Sequence, residues 1–149
     1  MNKFKKIRDE VVAEEQRQAE RQKHLDAEKE KEAQELSAMR IEARKILDDV
    51  IYPQLKECEQ EIRDAGFGQV STFRNGNAVG LSLVVVVTDS GSEEVLEIYF
   101  DGRFFVQTTI ANLVREAEIA MNEISAEWVE MQCVSFFREA MKNRGEPRF

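Results

Sequence analysis

Apolar positions are sparse along the first 52 residues, and no glycine or proline interrupts this stretch. Glu, Lys, Arg, Gln and Ala, all strong helix formers, dominate it. The pattern therefore predicts one very long N-terminal helix. At about 1.5 Å of rise per residue this helix would approach roughly 75 Å, longer than a globule of this size is wide. We expect part of it to project or to bind a partner.

The apolar positions of residues 1–35 fade along the helix. Phe4, Ile7 and Val11 have the a and d spacing of a coiled coil, but beyond Val12 the only large aliphatic side chain up to residue 35 is Leu25. We therefore expect residues 1–35 to form a charged, solvated helical arm. The alternative is a weak coiled coil. In both cases the candidate arm contacts are Phe4, Ile7, Val11 and Leu25.

From residue 36 the helical pattern becomes amphipathic, with an apolar stripe that runs from Ala43 to Ala65. This part is predicted to pack on the core. Pro53 lacks an amide hydrogen, yet the stripe continues across it, so we expect a kink or a break near Pro53 with immediate restart. Gly66 supplies a left-handed cap that ends the helix.

The hydrophobic pattern then changes to the alternation that is typical of strands. Asn75-Gly76 and Asp101-Gly102 are hairpin signals, and residues 89–92 form a longer connection. A four-stranded antiparallel meander is predicted. Its strands are residues 69–74, 79–88, 95–100 and 103–109.

A second helical stripe runs from Ile110 to Met131 and continues to Met141. Thr109 is its predicted N-cap, and Gly145 ends it. The fold class is therefore α+β, with a very long N-terminal helix, a four-stranded antiparallel meander and a long C-terminal helix. The predicted domains are the arm of residues 1–35, an α-ββββ-α domain of residues 36–145, and a tail of residues 146–149.

The two faces of the predicted sheet differ in character, because side chains alternate along a strand. One face is strongly apolar and would receive the helices. The other is too apolar for a face fully open to water, so a helix of this chain, a symmetric dimer mate or an extended ligand segment should cover it. Its candidate protein-binding residues are Phe73, Val84, Val86, Val95, Tyr99 and Phe105, beside Ser82, Glu97 and Gln107.

Two hairpin turns of the meander fall at the same end of the sheet, where they would form a polar rim. Turn geometry alone also demands Asn, Asp and Gly at such positions, whatever the function. The candidate rim residues are Arg74, Asn75, Asn77, Asp101 and Arg103.

Composition narrows the classes of partner. Charged residues make up 34 % of the chain and the net charge is −8, which disfavours nucleic acid and anionic membranes. The longest apolar run, residues 83–87, is too short to span a bilayer. Cys58 and Cys133 lack the paired spacing of a disulfide framework or a zinc site, so they are interpreted as buried thiols in a reducing cytoplasm.

No catalytic, metal or nucleotide motif occurs in the sequence. His24 lies in the arm, the glutamates from Glu116 to Glu130 lack histidine partners, and the glycines do not form a phosphate loop. We expect no cofactor and no bound metal. The sequence favours a cytoplasmic, non-enzymatic protein-binding module that forms a homodimer, with a chaperone-, adaptor- or inhibitor-like role. The alternatives are a structural or tethering subunit assembled through the long helix, and an enzyme with an unrecognised site.

Overall fold

The computed structural model describes residues 2–75, 79–89 and 91–144. Its α+β architecture agrees with the prediction, and it divides into two compact units, Met1–Ala38 and Met39–Phe149. The helices are α1 (Lys3–Ile46), a π-helical segment (Leu47–Ile51), α2 (Tyr52–Asp64), a short 3-10 turn (Met121–Glu123) and α3 (Ala126–Arg144). The strands are β1 (Val70–Arg74), β2 (Val79–Val86), β3 (Glu93–Phe100), β4 (Phe104–Ile110) and β5 (Leu113–Ile119).

The first unit is helical from Lys3 onward. The side-chain oxygen of Asn2 accepts hydrogen bonds from the backbone N–H groups of Phe4 (3.0 Å) and Lys5 (3.3 Å), which caps the helix. Every residue from 2 to 38 is exposed. Within this unit, polar contacts between neighbouring turns support the helix instead of apolar packing.

The interruption predicted near Pro53 is a π-helical segment. The N–H of Tyr52 bonds to the carbonyl of Leu47, the five-residue reach that defines a π-helix. Pro53 then lies in the first turn of α2, where its missing N–H costs nothing. The apolar stripe therefore stays in phase, and both Ile51 and Leu55 are fully buried.

Gly66 ends α2 as predicted. Its φ of +106° is left-handed, its N–H bonds to the carbonyl of Arg63 (3.0 Å), and the N–H of Phe67 bonds to the carbonyl of Ile62 (3.3 Å). This pair of bonds is a Schellman motif, which turns the chain towards the sheet.

The prediction of four strands is wrong, because the described residues form a sheet of five antiparallel strands in the order β1-β2-β3-β4-β5. Residues 113–119, which were expected to begin the last helix, pair with β4 from Ile110↔Leu113 to Phe104↔Ile119. Ala111 (φ 52°) and Asn112 (φ 65°) are both left-handed and form the two-residue turn of a tight hairpin. The spacing of Leu113 and Ala117 led to the wrong prediction of a helix, because residues four apart share a face in a strand as well as in a helix.

The last helix accordingly begins at Ala126, and Thr109 is a β4 residue instead of its cap. The cap is Ser125. Its hydroxyl accepts a hydrogen bond from the N–H of Trp128 (3.1 Å), and its carbonyl accepts one from Val129 (3.0 Å). Val129, Phe136 and further residues of α3 are then buried against the sheet.

The helices of the second unit pack on one face of the sheet, here called the inner face, and the opposite face is called the outer face. The strongly apolar face of the sequence pattern is this inner face. From the strands the core takes Val70, Leu81, Leu83, Val85, Leu96, Ile98, Phe100 and Phe104, and it also takes Val87, directly after β2. From the helical segments it takes Ala43, Leu47, Ile51, Leu55, Cys58, Ile62, Val129, Cys133, Phe136 and Ala140.

Candidate protein-binding surface

The strand register fixes which side chains share the outer face. Three rows cross four or five strands there and hold five of the six predicted candidates, while the sixth, Val86, pairs with Glu93 at the end of β2. The first row is Ser71, Val84, Val95, Thr109 and Val114. The second is Phe73, Ser82, Glu97, Gln107 and Glu116, and the third is Gly80, Tyr99, Phe105 and Glu118.

Apolar side chains on the outer face lie outside the core that the helices share. Val84 is only 7 % exposed, yet it is not part of that core cluster, so neighbouring strand residues shield it. Phe73 is 48 % exposed, while Val86 and Val95 are half-buried. Among the described residues of the second unit, α2 and α3 pack on the inner face. The outer face is thus an apolar surface that these helices do not cover.

Tyr99 and Phe105 form an aromatic pair on this face. Their rings stack with centroids 5.4 Å apart and an interplanar angle of 24°. A Cβ atom at Gly80 would lie 2.8 Å from the Cβ of Tyr99, so the strand needs glycine opposite this aromatic residue. The Tyr99 hydroxyl donates a hydrogen bond to Glu116 (2.8 Å), and desolvation together with this bond raises the pKa of Tyr99 to about 12.

The centre of the outer face is acidic. Burial raises the pKa of Glu97, a hydrogen bond from Asn75 opposes that shift, and the nearby charge of Glu116 adds to it. Glu118 lies on the same face and pairs with Arg103 at 3.4 Å. Two carboxylates, Glu97 and Glu116, therefore lie in the row between the apolar first row and the aromatic pair, and Glu118 lies beside Phe105 in the third row.

One predicted rim residue, Arg74, contacts the helices instead of the outer face. Arg74 forms an ion pair with Asp48 of the π-helical segment at 2.6 Å and places its guanidinium 5.3 Å from the ring centre of Tyr52. Arg74 therefore ties β1 to the helices. Asn77 lies outside the described residues.

Other rim residues support the turns. The side-chain oxygen of Asn75 accepts a hydrogen bond from the Ser82 hydroxyl (2.7 Å), and the N–H of Asp101 bonds to the carbonyl of Arg103 (2.9 Å). Asn75 and Arg103 thus lie beside the carboxylates of the outer face, while Arg74 contacts the helices.

The two edges of the sheet differ in whether other parts of the chain bond to their backbone groups. At the β1 edge, Glu59 accepts a hydrogen bond from the N–H of Thr72 (2.7 Å), and Arg63 donates one to the carbonyl of Val70 (2.8 Å). Side chains of α2 thereby occupy backbone groups that an added strand would use. At the other edge, residues 113–118 of β5 are all exposed. The free edge of the described sheet is therefore β5.

A groove of about 490 Å³ accompanies this free edge, between the inner-face side chains of β4 and β5 and the helix α3. The groove does not follow from the predicted fold, in which residues 113–119 belong to a helix. The alternation of polar and apolar residues from Glu116 to Ile119 and the turn-forming Asn112 are the signals that could have revealed it. Its lining includes Val106, Leu113, Arg115, Ser135, Phe136 and Glu139.

The candidate arm contacts are all exposed in the first unit. Phe4 is 81 % exposed, and Ile7, Val11 and Leu25 are each about half exposed. His24 pairs with Glu28 at 3.2 Å on the same exposed helix.

The chain matches no known protein family. The same holds for the curated proteins and the solved structures, none of which matches it. Among residues 2–75, 79–89 and 91–144, no helix is long and apolar enough to cross a membrane, and no cluster of three or more potential metal-binding His, Cys, Asp or Glu side chains occurs. The geometry of the outer face and its edge is thus the basis for a functional proposal.

Proposed function

We propose that this chain is a non-enzymatic protein-binding module that takes an extended segment of a partner protein on the outer face of its sheet. One observation carries the proposal: the apolar side chains of the outer face lie outside the core that α2 and α3 build on the opposite face. Apolar surfaces of this kind, bordered by polar residues, are typical of interaction sites.

The charges of the outer face favour a partner with basic residues. Glu97 and Glu116 lie in the central row, and apolar or aromatic side chains flank them. Two copies stacked through this face would bring like charges together, which opposes self-pairing there. A segment in which basic and apolar residues alternate would instead satisfy both the carboxylates and the apolar rows. The adjacent free edge at β5 offers backbone groups for strand addition.

This mode of recognition suits a chaperone-, adaptor- or inhibitor-like role in the cytoplasm. Both cysteines are free and buried, which supports a reducing compartment. The net charge of −8 favours protein partners over nucleic acid or membrane.

A peptide-display selection on the full chain tests the proposal. We expect enrichment of peptides that alternate basic and apolar residues. Val86→Glu should abolish their binding, and Glu97→Gln should weaken it and reduce its salt sensitivity. The matched control is Met131→Glu, because Met131 is 65 % exposed on α3 and lies away from the outer face.

Two results would oppose the proposal. The first is enrichment of peptides without basic residues, and the second is equal loss of binding in Val86→Glu and Met131→Glu. The thermal midpoint of each variant must also be measured. A Val86→Glu chain that unfolds as readily as a core variant would show that this face is internal core.

The exposed arm supports a second proposal, homodimer formation through the N-terminal helix, which would also suit a tethering subunit. Phe4, Ile7 and Val11 present exposed a and d positions. Light scattering at micromolar concentration should report twice the 17.2 kDa chain mass. Ile7→Glu should shift the mass to that of one chain, whereas Val12→Glu, a charge at a neighbouring outward position, should not. A monomeric wild-type chain would exclude this dimer.

A further inference from the structure

The two cysteines lie together at the interface between α2 and α3, although 75 positions separate them in sequence. Both belong to the core cluster, with Cys58 4 % and Cys133 2 % exposed. They also line one apolar cleft of about 280 Å³, together with Ile62, Val134 and Phe137. The cleft gives a small neutral molecule a route to sulfur atoms that bulk solvent barely reaches.

The two thiols have unequal surroundings. The side-chain amide of Gln54 donates a weak hydrogen bond to the sulfur of Cys58 (3.9 Å), at the cleft that both cysteines line. The neighbouring Cys133 thiol and this amide lower the pKa of Cys58, whereas the Cys58 side chain and burial raise the pKa of Cys133. Cys58 is therefore the thiol that ionises more readily, and thiolates are the reactive form of cysteine.

We propose that Cys58 and Cys133 are a peroxide-sensitive pair that converts reversibly to an intramolecular disulfide linking α2 to α3. The Cys58 thiolate attacks hydrogen peroxide, breaks its O–O bond, and becomes a sulfenic acid while hydroxide leaves. Cys133 then attacks the Cys58 sulfur. The S–O bond breaks, the Cys133 proton goes to the departing oxygen, and water is released as the S–S bond forms. One peroxide is reduced and two sulfurs are oxidised.

The cross-link has a structural consequence that is independent of the proposed function. It would join the two helices that cover the inner face, so neither could separate from the other. Because the bridge also restricts the unfolded chain, the oxidised protein should unfold at a higher temperature than the reduced protein.

Intact-mass spectrometry of the folded full chain under non-reducing conditions tests this inference. After treatment with hydrogen peroxide the main product should have lost two hydrogen atoms and gained no oxygen, and dithiothreitol should restore the starting mass. Peptide mapping should find the segment that contains Cys58 joined to the one that contains Cys133. In Cys133→Ser, the Cys58 sulfenic acid should accumulate and be trapped by dimedone. In Cys58→Ser, Cys133 should stay reduced.

Several outcomes would overturn the proposal. They are oxygen addition without loss of hydrogen in the wild-type chain, a disulfide between two chains, and a wild-type chain that does not react with peroxide. If a serine variant fails to fold by circular dichroism, the wild-type mass and peptide map still decide the question. A Gln54→Leu chain gives a further check, because loss of the amide should slow the first step without preventing the cross-link.

Discussion

Replacing Ala111 in the β4–β5 turn by glycine distinguishes the observed hairpin of residues 110–119 from the helix that the sequence predicted. The substitution should preserve or raise the free energy of unfolding in the hairpin, and lower it in a helix. Ala111 has a φ of 52°, a left-handed conformation that costs an L-residue with a Cβ roughly 1–2 kcal/mol. Glycine removes that cost but adds about 0.5–1 kcal/mol of backbone entropy. Ala111→Gly should therefore leave stability unchanged or raise it by up to about 1.5 kcal/mol, by difference of these two terms.

Ala111→Asn should stabilise the chain more consistently, since asparagine adopts left-handed geometry readily without the entropy of glycine. The hydrogen bond from the N–H of residue 111 to the Glu94 carboxylate (2.8 Å) involves only the backbone at that position, so both variants keep it. In a helix, by contrast, Ala111→Gly would cost about 1 kcal/mol.

Urea unfolding monitored by circular dichroism measures the difference in unfolding free energy between each variant and the wild-type chain. In a thermal scan, a midpoint shift of about 2–4 °C per kcal/mol is expected for a chain of this size. The matched control is Ala120→Gly, because Ala120 is exposed and has ordinary extended geometry. Glycine there should destabilise by about 0.5–1 kcal/mol. If Ala111→Gly destabilises as much as Ala120→Gly does, the left-handed turn, and with it the fifth strand, would be refuted.

Other predictions concern the core, the outer face and the arm. Val85 is fully buried, so Val85→Ala should lower the free energy of unfolding by about 2–3 kcal/mol in urea titration, from two lost carbon groups and a residual cavity. Because burial raises the pKa of Glu97, the folded state holds that proton to higher pH than the unfolded state, and stability falls as pH rises through the raised value. Glu97→Gln should therefore raise the thermal midpoint at neutral pH and lose this advantage in acid, where the wild-type carboxyl is protonated. The buried Thr72 hydroxyl has no hydrogen-bond partner among the described residues, so Thr72→Val should stabilise by about 1 kcal/mol in the same titration. Hydrogen exchange should be faster for residues 9–35 than for residues 36–65, because the arm lacks buried apolar contacts; uniformly slow exchange would indicate a continuous coiled coil.

The correct prediction of the sheet faces and the wrong prediction of a helix at residues 113–119 have one physical origin, the contrast between polar and apolar positions. Where polar and apolar residues alternate clearly, as Leu96, Glu97 and Ile98 do on β3, or repeat with the helical period, as along the buried face of α2, the pattern fixes the element and the face. In residues 110–119 the pairs Ile110/Val114 and Leu113/Ala117 are four apart, a spacing at which side chains share a face in helices and in strands. The left-handed turn at Ala111 and Asn112 is what distinguishes a hairpin from a helix here. Ala111 does not indicate such a turn, because alanine is a strong helix former.

The candidate site was predictable in part for the same reason. The assignment of side chains to the outer face follows from alternation alone, and the strand register places five of the six candidates in three rows. The ion pair that draws Arg74 away from the rim, and the side chains that occupy the β1 edge, depend on how α2 lies across the strands. Contacts between elements distant in sequence are not encoded in the local pattern of either one.

The unequal edges of the sheet limit how the protein can misassemble. Growth of a fibril needs every unit to accept a strand on one side and offer one on the other, but here Glu59 and Arg63 already occupy backbone groups at the β1 side. If two copies pair through their β5 strands, the outer edge of each sheet is β1, whose backbone groups already bond to Glu59 and Arg63. Edge-to-edge contact therefore ends at two chains, and the open strand can remain available for recognition without seeding a polymer.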